Sequence, residues 1–245
     1  ISVSIRQSAK FLENTMKKRG GVARKIAYAS ASAAVAAAIA LGTWSFSVIR
    51  NIPDVESLAA NRVAESTKIY DRTGTILLYE LYGEEKRTII PFDRIPDLAK
   101  KATIAVEDRN FYVHDAIDWK SLLRAFVVNL SRAGVVQGGS TITQQLAKNA
   151  FLAPDRTIAR KMKELFLSYR LESRYSKDEI LNLYLNQIPY GSNAYGIEAA
   201  ARTYFGKEAG KLELKEIALL VSLPKAPSYY SPWGTHAKEL FARKD

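Results

Sequence analysis

A pair of carboxylates, a glycine-hydroxyl stretch and a row of cations are the parts of this sequence able to do chemistry. Glu107 and Asp108 follow an apolar helical run, so Glu107 lies near the C-terminal end of a helix. The negative end of the helix dipole and the neighbouring carboxylate both disfavour its charge there, which suits a general base. A solvated acidic turn is the plainer alternative. Further on, Gly138 and Gly139 lead into Ser140-Thr141-Ile142-Thr143-Gln144-Gln145, a helix start rich in hydroxyls and amides. Free N–H groups at such a start suit an anion. Ser140 as an ordinary N-cap of a surface helix accounts for the cap equally well. Gln144 and Lys148 are four apart and share a face opposite Ile142 and Leu146.

A third group lies on a helix expected over residues 157–173, with Ile158, Met162, Leu165 and Tyr169 as its apolar stripe. At about 100° per residue, Lys163, Arg156, Arg160 and Glu164 fall within about 100° of one another on a different face. Three cations and a carboxylate so placed could cradle a diphosphate, with Glu164 able to hold a divalent ion between them. A solvated face would look the same. A fourth stretch, 216–227, is mainly apolar and reads as scaffold.

These groups need elements to hold them. Residues 69–80 alternate around Asp71-Arg72-Thr73-Gly74, a hairpin signal, and 87–92 could add a third short strand. From residue 97 the spacing turns helical, with no β-branched run long enough for another sheet. Ser176-Lys177-Asp178-Glu179 is a capping box for a helix that Pro189 and Gly191 close, and another helix over 213–223 stops before Pro224.

The 36 Lys+Arg against 25 Asp+Glu give a formal charge of +11, which favours anionic partners without choosing among them. The absence of cysteine excludes a disulfide framework, a thiolate zinc site and a cysteine nucleophile, and two histidines make a multi-histidine metal site improbable. Residues 26–49 carry no charge and are long enough to cross a hydrocarbon layer of roughly 30 Å. Lys17, Lys18, Arg19, Arg24 and Lys25 precede them and Arg50 follows, so the positive-inside rule puts residues 1–25 in the cytoplasm and the rest outside. A buried alanine-rich helix and a cleaved signal peptide compete with this anchor.

In this order the groups closely resemble the five motifs of the peptidoglycan glycosyltransferase family, which comprises the transglycosylase domains of class A penicillin-binding proteins and monofunctional glycosyltransferases. The motifs are Glu107-Asp108-x-x-Phe111-x-x-His114, Gly138 through Gln145, Arg160-Lys161-x-x-Glu164, Lys177 through Asn186, and 216–227. The resemblance implies a mainly α, lysozyme-like helical glycosyltransferase domain with a small β-hairpin region and an N-terminal transmembrane helix. It divides the chain into a basic cytoplasmic tail (1–25), a transmembrane helix (26–49), a connector with short strands (50–96), a glycosyltransferase domain (97–235) and the start of a linker or a truncated C-terminal region (236–245). The hairpin resembles the connector of class A proteins, which continue into a transpeptidase domain.

The implied activity is polymerisation of lipid II at the outer side of the bacterial cytoplasmic membrane. The growing chain moves, with inversion, from undecaprenyl pyrophosphate to the acceptor 4-hydroxyl, forming β-1,4 links. Glu107 would be the base, with Glu164 the second catalytic carboxylate. Lys148, Arg156, Lys163 and Glu164 match positions that hold the pyrophosphate directly or through Mg²⁺ or Mn²⁺, Glu164 being the metal ligand. Asp108, Phe111, Arg124, Ser140 and Gln144 match positions lining the cleft; His114 and Arg160, in the motifs, join the substrate-binding set. Lipid II, the glycan strand, the membrane and other cell-wall synthesis proteins are the expected partners, and nucleic acid is not. One departure stands out: Ala116 replaces a glycine usual in the family, which matters if the loop needs a positive φ. The apolar stretch of Phe126, Val127, Val128, Leu130, Val135 and Val136 could dip into the bilayer or pack in the core.

A lysozyme-like hydrolase would also use a glutamate in a helical cleft, but as an acid, and it needs no cations for a diphosphate. A non-catalytic basic interaction module has no use for two placed carboxylates.

Overall fold

The computed structural model describes residues 28, 30–50, 52–55, 66–81, 83, 85–132, 138–155 and 157–244. The chain divides after residue 51 into two compact units. In the first, α1 (Ser30–Arg50) is long and apolar enough to cross a membrane, with none of its apolar window buried. Its 21 residues give about 31 Å at 1.5 Å per residue. The basic tail expected over 1–25 lies outside the described residues.

The second unit opens with β1 (Thr67–Tyr70) and β2 (Leu77–Leu81), an antiparallel hairpin in which Thr67 faces Leu81. Asp71 makes the turn: its Oδ1 accepts from the N–H groups of Thr75 and Ile76, both at 3.0 Å, and Gly74 supplies φ +72°. The third strand departs from expectation. β3 (Lys86–Arg87) does not join the hairpin but pairs in parallel with β5 (Ala194–Tyr195), which also pairs with β4 (Pro189–Gly191). Strands of two or three residues leave no periodicity in a sequence, so this second sheet gave no signal.

The rest is helical, as the spacing predicts: α2 (Asp97–Glu107), α3 (Trp119–Ser131), α4 (Ile142–Phe151), α5 (Ile158–Arg174), α6 (Lys177–Gln187), α7 (Ile197–Phe205), α8 (Leu214–Ser222) and α9 (Ala237–Lys244). Side-chain caps set their starts. Asp118, Thr141 and Thr157 each accept the N–H of the third residue on, and Ser176 and Glu213 open capping boxes. Helix α4 is the centre, packed on α5 and α6, while α8 packs on α2 and α9. Leu146, Ala147, Leu167, Leu171, Ile180, Leu181, Tyr184 and Leu185 are fully buried along the first contact. The segment 236–244 contains α9, anchored by a fully buried Leu240.

Helix α5 overturns the expected apolar stripe. Its buried residues are Glu164, Leu167, Ser168 and Leu171, whereas Ile158 is 77% exposed and Tyr169 68%. The wheel located the stripe correctly and its environment wrongly: the face turned to α4 is the half-polar one.

Asn186, late in α6, holds a distant segment. Its Oδ1 accepts from Ile90 N–H and its Nδ2 donates to Ile90 O, both at 3.0 Å. Gly196, ahead of α7, passes close over the same turn with φ +81°, and a Cβ there would meet Asn186 O at 2.5 Å. Gly196→Ala is therefore expected to destabilise the unit by about 2–4 kcal/mol, from strained backbone plus steric clash. Urea unfolding measures it, and a change under about 0.5 kcal/mol would show that the turn yields.

Candidate active site

Glu107 is the last residue of α2, and Asp108 ends the helix with its N–H on Ile104 O. The chain turns at once, Phe111 N–H donating to Asp108 O. The 8% exposed Asp108 carboxylate ties this turn down. Its Oδ1 is 2.7 Å from His114 Nε2, and its Oδ2 accepts from Ile142 N–H at 3.1 Å. The anion at the start of α4 is thus a side chain of the protein itself. Thr141, not Ser140, is the N-cap, and α4 is buried rather than a surface helix, with Gln144 2% exposed.

That docking sets Glu107 against α4 one turn further in. Gln145 Nε2 donates to Glu107 Oε2 at 2.8 Å, and Tyr184 Oη donates to Gln145 Oε1 at 3.1 Å, fixing the amide's orientation. Burial, then the Glu107 charge, pushes the Tyr184 hydroxyl well above its usual range, so it remains a donor. Glu107 Oε1 is buried without a hydrogen-bond partner among the described residues. Among the described residues, the cation paired with it is Arg243 of α9, at 3.7 Å.

The cation cluster forms where α4 and α5 pack. Glu164, 3% exposed, is held by Lys161 Nζ on Oε1 and by Arg160 Nη1 at 3.4 Å on Oε2. Lys161 also donates to Ser140 Oγ at 3.1 Å and Gln144 Oε1 at 3.4 Å. Burial lowers the Lys148 ammonium below its usual range; Glu164 and Glu107 pull the other way, and Arg160 and Lys161 lower it further. Lys148 therefore stands in the field of both carboxylates. Arg160 Nε is buried with no hydrogen-bond partner among the described residues.

Several expected residues sit differently. Lys163 is not among the charges bearing on Lys148; Lys161 is. The wheel set Lys161 about 60° beyond Glu164, yet a lysine side chain reaches a partner three residues on. Arg156 lies outside the described residues. Arg124 is exposed on α3 and donates to Ser121 Oγ at 2.9 Å within its own helix. Phe111 is fully buried, with Lys177 Nζ 4.7 Å from its ring centre. Ala116 has no positive φ, and its carbonyl accepts from Thr141 Oγ1 and Gln144 Nε2. The alanine is unstrained. Gln145, Tyr184, Lys161 and Arg243 were not singled out from the sequence, although the first three stand within the motifs.

A family model described as Transglycosylase matches residues 74–245. The chain belongs to the transglycosylase family. It is similar to penicillin-binding protein 1A of Aquifex aeolicus, 45% identical over 81% of this chain and 27% of that protein. Penicillin-binding protein 1A of Escherichia coli is 47% identical over 74% of the chain and 21% of its own length. The chain thus spans only about a fifth to a quarter of these relatives. A crystal structure of penicillin-binding protein 1A from Haemophilus influenzae covers 75% of this chain and 17% of that one, at 26% identity and a TM-score of 0.39.

Divalent-cation dependence is general among transglycosylases. Among the described residues, Asp108, His114 and Asp118 bring possible ligand atoms within 4.8 Å of one another. Glu164, the expected ligand, does not fit a divalent ion as arranged, because each of its oxygens already faces a cation.

Asp118 yields a prediction. Hydrogen bonds from Ser121, hydroxyl first and then N–H, hold its carboxyl down to about 2 against an ordinary 3.8. A depressed carboxyl stabilises the fold above its unfolded value, and this is lost as pH falls from about 3.8 through about 2. Carboxyl-carbon NMR should give a midpoint near 2 in wild type and a higher one in Ser121→Ala; an ordinary midpoint in both would break this account.

Proposed function

We propose that the chain is a peptidoglycan glycosyltransferase that polymerises lipid II. The observation carrying this reading is that, of the four buried side-chain atoms without a hydrogen-bond partner among the described residues, two of opposite kind, Glu107 Oε1 and Arg160 Nε, belong to residues whose charges or partners surround Lys148. Buried polar atoms are normally satisfied, so an orphan acceptor and an orphan donor point to a ligand that supplies a proton on one side and negative charge on the other. A sugar hydroxyl beside a diphosphate has that chemistry.

In this reading the acceptor 4-hydroxyl gives its proton to Glu107 Oε1 while its oxygen attacks the anomeric carbon of the donor. The bond from that carbon to the undecaprenyl pyrophosphate oxygen breaks, with inversion to a β-1,4 link. Lys148, Arg160 and Lys161 meet the charge that builds on the departing diphosphate. Glu164 holds Arg160 and Lys161 in place, and Ser140 and Gln144 steer Lys161. Asp108, His114 and Phe111 brace the Glu107 turn. Arg156 and Lys163 are kept as outer contacts to the diphosphate, and Arg124 as a contact near the Asp118 cap. A Mg²⁺ or Mn²⁺ ion would add Lewis acidity at the pyrophosphate, but no step is assigned to it at Glu164.

The proposed catalytic core is 97–235 extended by α9, with 50–96 as connector. Helix α1 supplies the anchor, and the basic residues before it orient the second unit to the outer side. The exposed Trp119, Leu123, Val127 and Leu130 of α3 support a membrane-dipping face that admits a lipid-borne substrate. Val135 and Val136 of that stretch lie outside the described residues.

Labelled lipid II tests the reading: polymer supports it, whereas fragments from preformed glycan would point to a hydrolase. Glu107→Gln should cut polymerisation by roughly 10²–10⁴-fold, because an amide cannot take the proton. Wild-type yield from the folded variant would overturn the base assignment. Lys161→Ala should weaken donor use by roughly tenfold or more, as loss of a charge-assisted phosphate contact does. Lys163→Ala should cost less, within roughly twofold, as loss of a solvent-screened outer charge does. Titrating a donor analogue that cannot act as acceptor distinguishes them, and the reverse ranking would move the cradle to the other face of α5.

A further inference from the structure

Arg243 lies beyond the last of the five motifs, yet among the described residues it is the cation that pairs with Glu107 Oε1, an oxygen that has no hydrogen bond there. Its placement is built. Leu240 is fully buried and docks α9 on α8, and Arg243 Nε donates to Ser222 O at 3.2 Å at the end of α8. One edge of the guanidinium is thereby fixed, and Nη2 stands 3.7 Å from Glu107 Oε1. The Arg243 side chain is 23% exposed and that of Glu107 12%, so water screens the pair poorly.

The distance matters. N–H···O hydrogen bonds run to about 3.2 Å, so at 3.7 Å the guanidinium supplies its charge without occupying the lone pairs of Oε1. Gln145 meanwhile holds Oε2 at 2.8 Å. The carboxylate is pinned through one oxygen and left open at the other. Among the described residues, Lys148 of α4 and Asp108 on the turn are also charges in this region, while Tyr184 and Tyr190 stay neutral through burial.

We infer that Arg243 is a positioning residue for Glu107: its guanidinium, 3.7 Å away, draws the carboxylate into the orientation in which Oε1 faces the acceptor hydroxyl. This rests on Glu107 acting as the base. The machinery of the site then extends into α9, and displacement of that helix would alter the rate of glycan transfer without touching the motifs.

The full chain in detergent micelles with labelled lipid II tests this, with kcat and KM measured separately and melting temperature recorded. Arg243→Gln and Arg243→Met, the second chosen to keep the packing of α9, should lower kcat by roughly ten- to a hundredfold, as misplacement of a catalytic group does. KM should stay within roughly twofold, since no substrate contact is removed. Arg243→Lys, which retains the charge, should recover most of the lost rate. Glu107→Gln in parallel separates the two ideas. If it abolishes polymer while Arg243→Met keeps the wild-type kcat, the inference fails alone; if Glu107→Gln is itself active, the base assignment fails with it. Equal loss in the Lys and Met variants at unchanged melting temperature would also overturn the role given to the charge.

Discussion

The site depends first on the Asp108 carboxylate. Removing an ion from water is costly unless its oxygens find donors, and here one oxygen takes the Ile142 N–H and the other meets His114. Asp108 lies where the negative end of α2 approaches the positive end of α4, so its favourable contact with α4 must also offset a poor one with α2. The result is geometric as much as energetic. Because Asp108 is tied to Ile142, Glu107, one residue earlier, meets Gln145, three residues further along α4. The turn to Phe111 and the Thr141 and Gln144 bonds to Ala116 O complete the brace.

The second buried carboxylate obeys a different economy. Glu164 faces the packed side of α5 with a cation on each oxygen, and the Lys161 ammonium is shared with Ser140 and Gln144 of the preceding segment. A lone buried cation would lose its charge or unfold its surroundings. Several held by one carboxylate can instead wait, partly dehydrated, for an anion. Burial, more than the neighbouring cations, lowers the Lys148 ammonium.

Helix boundaries were legible because they are set locally. The capping box at Ser176 and Glu179, and the end of α6 before Pro189, can be read within a few residues. The hairpin around Asp71 and Gly74 was legible for the same reason. What failed needed tertiary knowledge. A helical wheel gives the angular spread of α5 but not which side meets α4, so it shows neither the exposure of Ile158 and Tyr169 nor the reach of Lys161 to Glu164. The two-residue β3 carries no pattern by which to choose β5 as partner. At the site, Glu107 was legible from helix end and motif together, whereas Arg243 is separated from it by most of the unit and belongs to no motif, so only the docking of α9 brings the two together.

The exposed stripe on α5 has a practical side. Together with Trp119, Leu123 and Leu130 of α3, the exposed Ile158 and Tyr169 of that stripe put large apolar side chains on the surface of the unit. Cutting away α1 would not turn such a unit into an ordinary water-soluble protein. Its own exterior would still call for detergent, lipid or a covering protein, and its colloidal behaviour would follow the α3 and α5 surfaces more than the net charge of the chain.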